Sequence, residues 1–216
     1  MHSYLVSTAP RAVLFDIDNT LYRDDRYAQW QIDVLIQRFA SQEGLPLPTA
    51  TKRIADTRSL ITAETGRRPS LGNTMLRLGI PMSQSIAWRE ELIEPERFLR
   101  RDEEVTATLR RLARIFRLAA LTNNPESIGR RTLQVIGCEG SVPVVVGLDT
   151  TGRSKPDWAP FAAALARVEV GAPETVMVGD RYDVDLAPFV DAGGGAVLVE
   201  TRDDLLELPV VLGSYG

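Results

Sequence analysis

The stretch VLFDIDNTLY (residues 13–22) joins a short apolar run to two carboxylates, Asp16 and Asp18. An apolar run of this length, rich in Val, Leu and Phe, is typical of a buried strand in a parallel sheet. The strand is expected to end where the acidic residues begin. In an open parallel sheet the ligand site lies outside the carboxyl ends of the strands, so these carboxylates are the first candidates for chemistry.

Beyond residue 115, apolar runs alternate with helical patterns. Four predicted strands and three predicted helices follow one another, the strands at residues 118–121, 142–146, 176–178 and 196–199 and the helices at residues 125–136, 157–168 and 186–192. Such alternation predicts a parallel sheet with helices on both faces. The strand at residues 12–15 needs partners, so we expect it to join this sheet. The predicted fold class is therefore α/β, with a Rossmann-like core.

Residues 24–114 have a different sequence pattern. Apolar residues recur at helical spacing, and Gly and Pro residues at several points are typical of helix ends. This pattern predicts several helices, the last of them at residues 96–115. We interpret the segment as an α-helical cap domain inserted after the first strand. The predicted division assigns residues 1–21 and 98–216 to the catalytic core and residues 22–97 to the cap.

The composition limits the available chemistry. The chain has 216 residues, of which 44% are hydrophobic and 25% charged, as expected for a globular protein with a substantial core. The single histidine, His2, lies beside the start of the chain, where ends are usually frayed, so no Ser-His-Asp triad or histidine zinc site is expected. The single cysteine, Cys138, allows no internal disulfide and fits a reducing compartment. Acid–base chemistry is therefore expected from carboxylates.

The charge of the chain indicates which partners to expect. A net charge of -4 argues against a general affinity for nucleic acid or for an anionic membrane surface. No window approaches the ~18 consecutive apolar residues of a membrane span, and no leader pattern opens the sequence. We expect a cytoplasmic protein whose partner is a small molecule. The sequence does not indicate its oligomeric state.

Polar residues follow four of the predicted strands, and they would meet at one edge of the sheet. They are Asp16 and Asp18; Thr122, Asn123 and Asn124; Ser154 and Lys155; and Asp180, Asp183 and Asp185. Carboxylates so close together resist ionising unless a cation is present, and ligands that are all oxygen favour a hard ion such as Mg²⁺. Asp16 and Asp180 are the predicted metal carboxylates. One acid of the Asp16 and Asp18 pair can act as a nucleophile while the other transfers protons.

Four segments carry a family resemblance: VLFDIDNTLY (13–22), ALTNN (120–124), SKPD (154–157) and VGDRYDVDLAPFVDAGG (178–194). Together they resemble the four ordered motifs of the haloacid dehalogenase superfamily, in its branch with a helical cap after the first motif. Members that cleave carbon–halogen bonds resemble D-x-Y at the first motif, whereas phosphatases and mutases carry D-x-D, so Asp18 favours phosphate. Asn19 stands where Gly is frequent in the family, and Arg181 where Ser or Thr is frequent.

The resemblance implies catalytic and metal-binding roles for three aspartates. Asp16 would be the nucleophile that forms an aspartyl-phosphate. Asp18 would be the general acid and base, and its backbone carbonyl would bind Mg²⁺. Asp16 and Asp180 would supply the carboxylate ligands of the metal.

The resemblance also implies how the remaining motif residues act. Thr122 and Lys155 would bind the phosphoryl group, and we place Asn123 with them. Asp185 corresponds to the last acid of the fourth motif and would support the metal ligands from behind. Asp183 stays open as an alternative for that supporting role.

We therefore predict a Mg²⁺-dependent phosphomonoester hydrolase that acts on a small phosphorylated metabolite, such as a nucleotide or a glycolate or sugar phosphate. Two alternatives stay open at this point. One is a phosphomutase on the same scaffold, in which a sugar phosphate replaces water as the acceptor. The other is a non-catalytic relative that binds phosphate without turnover.

Overall fold

The structure is a computed structural model that describes residues 2–4 and 9–213. Its strands form one six-stranded sheet in the order β1-β6-β5-β2-β3-β4. In chain order they are β1 (His2–Tyr4), β2 (Ala12–Asp16), β3 (Arg117–Leu121), β4 (Val144–Val146), β5 (Thr175–Gly179) and β6 (Gly195–Leu198). Strands β2 to β6 run parallel, and β1 pairs antiparallel with β6. The predicted α/β class with a parallel core sheet is confirmed.

Ten α-helices are described around this sheet. They are α1 (Asp25–Glu43), α2 (Leu47–Thr65), α3 (Leu71–Arg77), α4 (Met82–Leu92), α5 (Glu103–Leu112), α6 (Glu126–Val135), α7 (Leu148–Thr151), α8 (Trp158–Val168), α9 (Ala187–Asp191) and α10 (Arg202–Gly213). A π-helical turn, Tyr182–Leu186, precedes α9. Among the described residues, no helix combines the length and the apolar character needed to cross a membrane.

Strand β2 lies in the middle of the sheet, between β3 and β5. Its side chains alternate between two apolar clusters: Val13 and Phe15 belong to one, and Ala12 and Leu14 to the other. This alternation follows from the two-residue period of a strand whose two faces are both covered by helices. The carboxyl end of β2, at Asp16, is consequently enclosed by neighbouring strand ends.

Helices α1 to α4 follow β2 and form an apolar cluster of their own, which includes Leu35, Phe39 and Trp88. The first turn of α1 belongs to the sheet side instead, because Tyr27 is part of the main core and its ring stacks on Phe98 at 5.4 Å between centroids. Helix α1 therefore contributes both to the main core around the sheet and to the separate apolar cluster of helices α1 to α4. The division into a core and a cap at residues 22 and 97 stays a prediction.

The structure differs from the sequence-based elements at several places, among them the short helix α7, which was not predicted. Strand β1 and helix α10 were not predicted, and the backbone of His2 lies in β1 rather than in a frayed end. The helix predicted from residue 96 begins at Glu103, because the Asp102 carboxylate accepts hydrogen bonds from the Glu104 and Val105 amides and caps the helix there. The outer residues of the predicted core domain, 1, 5–8 and 214–216, lie outside the described residues.

Candidate active site

The carboxyl end of β2 positions a buried carboxylate. Asp16 is only 2% exposed, and the Thr20 hydroxyl donates to its Oδ2 at 3.1 Å. The chain then turns sharply, with the amides of Thr20 and Leu21 donating to the Ile17 carbonyl. Asn19 adopts a left-handed conformation with φ of 62°. Asparagine and glycine tolerate this region best, which accounts for asparagine at this point of the turn.

Two further carboxylates lie against Asp16. Asp180 directly follows β5, and Asp185 lies in the π-helical turn. Oxygen atoms of the three aspartates lie within 4.8 Å of one another. Gly179 permits this approach, because a Cβ atom at that position would lie 2.6 Å from Cβ of Asp185. The folded chain thus forms an acidic cluster, which we define as Asp16, Asp180 and Asp185.

Lys155 lies inside the acidic cluster and is itself only 2% exposed. Its Nζ donates to Oδ1 of Asp16 at 2.5 Å and to the Leu121 carbonyl at 3.1 Å, and it lies 2.7 Å from Oδ1 of Asp185. The loop that carries it is held by Asn123, whose Oδ1 accepts from the Lys155 amide and whose Nδ2 donates to the Lys155 carbonyl. One buried ammonium therefore bridges two of the three carboxylates.

The acidic cluster is costly to keep fully ionised. Burial raises the pKa of Asp16 to about 7; the charge of Lys155 opposes that rise, and Asp185 and Asp180 add to it. Burial also raises the pKa of Asp180, and the charge of Asp185 adds to the effect. Burial disfavours the charge of Lys155, but Asp16 and Asp185 outweigh it and raise the pKa of the ammonium. A further cation would relieve the repulsion among the carboxylates.

The donor set of the acidic cluster fits a hard divalent cation. All of its ligand atoms are carboxylate oxygens, which Mg²⁺ prefers. Oδ1 of Asp180 is buried and accepts no hydrogen bond from the described part of the chain, although Nε of Arg181 lies 3.6 Å away. The predicted metal carboxylates Asp16 and Asp180 lie together here. The Asp18 side chain is not part of the cluster, so only its backbone carbonyl stays a candidate ligand.

The Asp18 carboxylate is half-buried and is oriented by four donors from three parts of the chain. Its Oδ1 accepts from the Tyr22 hydroxyl at 2.5 Å and from Nε2 of Gln31 at 3.1 Å. Its Oδ2 accepts from the Thr122 hydroxyl at 3.1 Å and from Nδ2 of Asn124 at 3.3 Å. Thr122 therefore contacts Asp18 directly, in addition to its predicted role towards phosphate.

Sequence reasoning did not predict three of the contacts of Asp18. Tyr22 and Gln31 were not among the predicted site residues, and Asn124 was placed at this edge of the sheet without a contact to Asp18, yet each donates to this carboxylate. Tyr22 lies four residues after Asp18, a spacing that brings side chains together in a helical turn. Gln31 had no local signal, because its partner lies 13 residues away and only the packing of α1 over the strand end brings the two together.

The two acids of the fourth motif have different environments. Asp185 is fully buried beside Asp16 and Lys155, and its amide donates to the Arg181 carbonyl at 2.9 Å. Asp183 is exposed at the mouth of the cleft. Geometry therefore favours Asp185 over Asp183 as the acid that supports the metal ligands.

A cleft of about 480 Å³ opens between the carboxyl edge of the sheet and the helices that follow β2. Asp18, Asn123, Lys155 and Asp180 line it from the sheet, and Arg89 is among the residues that line it from the helices. A small molecule in this cleft would contact the acidic cluster at one end. The cleft is the candidate substrate site.

Replacing Lys155 by methionine is expected to lower the free energy of unfolding by about 3–5 kcal/mol, because the buried carboxylates of Asp16 and Asp185 lose their shared counter-charge. Urea denaturation in EDTA measures the loss without compensation by a bound metal. The chain's other lysine provides the control: Lys52 is 76% exposed and pairs with Asp56, so Lys52→Met should change stability by less than about 1 kcal/mol. Equal losses in the two variants would contradict the assigned role of Lys155.

Comparison with known proteins agrees with this geometry. A family model described as haloacid dehalogenase-like hydrolase matches residues 10–193. A phosphoglycolate phosphatase of Xanthomonas campestris is 31% identical over 183 residues, 79% of this chain and 75% of that protein. One of Rhodospirillum rubrum is 38% identical over 104 residues, 48% of this chain and only 37% of that protein. The solved structure of a 2-haloacid dehalogenase from Pseudomonas syringae has a TM-score of 0.61 at 23% identity, covering 96% of this chain and all of that one.

Proposed function

This chain belongs to the haloacid dehalogenase-like hydrolase family, and we propose that within it the protein is a Mg²⁺-dependent phosphomonoester hydrolase that works through an aspartyl-phosphate. Its curated relatives include phosphatases, which supports hydrolysis of a phosphate ester. Its substrate is a small phosphorylated metabolite. The names of the relatives favour phosphoglycolate among the predicted candidates, and sugar phosphates and nucleotides are the others.

One observation supports the proposal most. A carboxylate at the end of the central strand, Asp16, pairs with Lys155 and lies within 4.8 Å of Asp185, and a second carboxylate, Asp18, follows two residues later and lines the cleft. A dehalogenase needs only the first of these groups for attack. A phosphate ester needs both, because its leaving alcohol must receive a proton.

The reaction follows from the positions of these two carboxylates. An Asp16 oxygen attacks phosphorus, the bond from phosphorus to the ester oxygen breaks, and the leaving oxygen takes a proton from the Asp18 carboxyl. Asp18, now a carboxylate, then removes a proton from water. The resulting hydroxide attacks phosphorus, the bond to Asp16 breaks, and inorganic phosphate and a free Asp16 carboxylate remain. The donors around Asp18 hold it in the cleft for both proton transfers.

Thr122, Asn123 and Lys155 are the proposed contacts of the phosphoryl group. The Thr122 hydroxyl already donates to Asp18, and Lys155 Nζ already contacts two carboxylates and a carbonyl. Either group must exchange one of these partners to donate to a phosphoryl oxygen. Asn123 supports the site through its two hydrogen bonds to the Lys155 backbone.

The Asp16 and Asp180 carboxylates and the Asp18 backbone carbonyl are the proposed Mg²⁺ ligands, supported from behind by Asp185. When bound, the cation offsets the negative charges of the phosphoryl group and the Asp16 carboxylate, which would otherwise repel each other. Oδ1 of Asp180, which is buried and accepts no hydrogen bond within residues 2–4 and 9–213, supports this ligand set.

We further propose that residues 22–97 act as a cap that excludes water from the cleft while the aspartyl-phosphate forms. Their separate apolar cluster supports this, as does the way they line one side of the cleft. A cytoplasmic location stays a prediction from the sequence, in keeping with the single buried Cys138.

Purified protein with Mg²⁺ is expected to release inorganic phosphate from p-nitrophenyl phosphate, and EDTA should lower the rate by about 10³-fold, because the charge of the phosphoryl group is then no longer offset. Adding excess Mg²⁺ should restore the rate. Full activity in EDTA would overturn the metal dependence. Failure to release phosphate with Mg²⁺ from p-nitrophenyl phosphate and from every candidate substrate class, 2-phosphoglycolate, a sugar phosphate and a nucleotide, would overturn the proposed function.

A further inference from the structure

The helix side of the cleft carries three arginines. Arg58 lies on α2, Arg68 follows that helix, and Arg89 lies on α4, and all three line the same cleft as Asp18 and Lys155. The sheet side of this cleft is acidic and suits a cation. Carboxylates therefore line the sheet side of the cleft, together with Lys155 and Arg181, and the helix side carries arginines that the proposed reaction does not use.

Arg89 is buried without an acidic partner. Arg89 is 5% exposed. Among the described residues, its Nη1 donates to the carbonyl and hydroxyl of Ser85 alone, one turn earlier on the same helix. No carboxylate forms an ion pair with it among residues 2–4 and 9–213. Burial lowers the pKa of Arg89 to about 10, and the charge of Asp18 opposes this, so the guanidinium stays charged at neutral pH. A buried charge without a counter-ion is costly and calls for a compensating group.

Other arginines of the same helical segment do have carboxylate partners. Arg38 pairs with Glu91, Arg53 with Glu43, and Arg77 with Glu64. The cleft arginines therefore differ from their neighbours, although acidic residues are abundant in the segment. The difference points to a negative charge that comes from outside the chain.

Arg58 and Arg68 extend the same basic surface. Nε of Arg58 is buried and has no hydrogen-bond partner in the described structure. Burial lowers the pKa of Arg58, and the like charge of Arg68 lowers it further. Two cations that repel each other and share a cleft without an acid between them are stabilised when an anion binds both.

We propose that Arg89, together with Arg58 and Arg68, binds a second anionic group of the substrate. The substrate is then a phosphate monoester that carries a carboxylate or another phosphate. This inference rests on the proposed phosphatase function. The reacting phosphate occupies the acidic end of the cleft, and the second anion occupies the end formed by the arginines.

The test compares esters that differ in the second anion. 2-Phosphoglycolate is paired with ethyl phosphate, and ribulose 1,5-bisphosphate with ribulose 5-phosphate. Arg89→Gln should lower kcat/KM about 10- to 100-fold for at least the preferred doubly anionic ester, which is the usual effect of losing a hydrogen bond between charged groups. For the matched ester without the second anion, kcat/KM should fall less than about 3-fold. Whichever pair shows the selective loss identifies the second anion as a carboxylate or a phosphate.

Two further variants separate binding from folding. Arg68 is exposed, so Arg68→Gln should preserve the fold and still give a smaller loss confined to the doubly anionic esters. Arg110→Gln removes an exposed arginine of α5 outside the cleft and should leave every rate unchanged. Equal losses on both members of a pair, or no loss in either cleft variant, would overturn the inference while the phosphatase function stands.

A binding measurement covers the case in which the wild-type protein hydrolyses none of these four esters, so that no kcat/KM values can be compared. Calorimetric titration of the Asp16→Asn protein with 2-phosphoglycolate and with ribulose 1,5-bisphosphate needs no turnover. Adding Arg89→Gln should weaken binding of one of them about 10- to 100-fold. Unchanged dissociation constants for both would overturn the arginine subsite, whatever the protein catalyses.

Discussion

Asp16→Asn is expected to reduce phosphate release from p-nitrophenyl phosphate by about 10⁴-fold or more, a loss typical of removing a nucleophile that forms a covalent intermediate. The amide nitrogen and oxygen of asparagine are poor nucleophiles towards phosphorus. The measurement is steady-state phosphate release with saturating Mg²⁺. A variant that keeps turnover within about tenfold of the wild type would refute Asp16 as the nucleophile.

The same substitution should leave the fold intact, which makes the loss interpretable. Asparagine has nearly the same shape; its oxygen can accept from Lys155 Nζ, its amide nitrogen can donate to the Thr20 hydroxyl oxygen, and Lys155 keeps its contact with Asp185. Circular dichroism and thermal unfolding check this. Asp191→Asn makes the same chemical change at an exposed position at the end of α9, and full activity is expected there.

The sequence predicted the elements that have a strong local pattern. The five parallel strands are short and mostly apolar on both faces, and polar residues follow four of them, so their positions could be predicted from the sequence. Strand β1 could not, because its three residues form a strand only by pairing with β6, almost 200 positions away, where β1 becomes the edge of the sheet. The start of α5 depends on the Asp102 carboxylate, which caps the helix several residues after the predicted start at residue 96.

The predicted site residues share one property: each directly follows a strand or lies in a motif loop. Asp16, Thr122 and Asp180 belong to this group, and topology alone brings them to one edge of the sheet. Gln31 and Arg89 do not, since helices from another part of the fold carry them into the cleft. Their position depends on how the helical segment packs over the sheet. A single sequence contains no periodic signal for that packing.

Asp18→Asn is expected to lower turnover by about 10²- to 10⁴-fold, the usual range for lost acid–base assistance. The substitution removes the proton donor but leaves Asp16 able to attack. Asparagine can still accept from Thr122 or Tyr22 through its oxygen, so the local structure should persist. Rates are measured with p-nitrophenyl phosphate and with ethyl phosphate in the presence of Mg²⁺.

The comparison of these two esters distinguishes general-acid catalysis from a purely structural role of Asp18. p-Nitrophenolate is a stable anion that leaves without a proton, whereas ethoxide needs one as the ester bond breaks. The kcat/KM value reports the step in which Asp16 takes the phosphoryl group, before water enters. Asp18→Asn should therefore lower kcat/KM far more for ethyl phosphate than for p-nitrophenyl phosphate.

Tyr22→Phe serves as the control. It removes one donor to Asp18 but keeps the carboxyl group, so the fall in kcat/KM should be small and similar for both esters. If Asp18→Asn lowers kcat/KM equally for both esters, the carboxylate orients the site without transferring the proton.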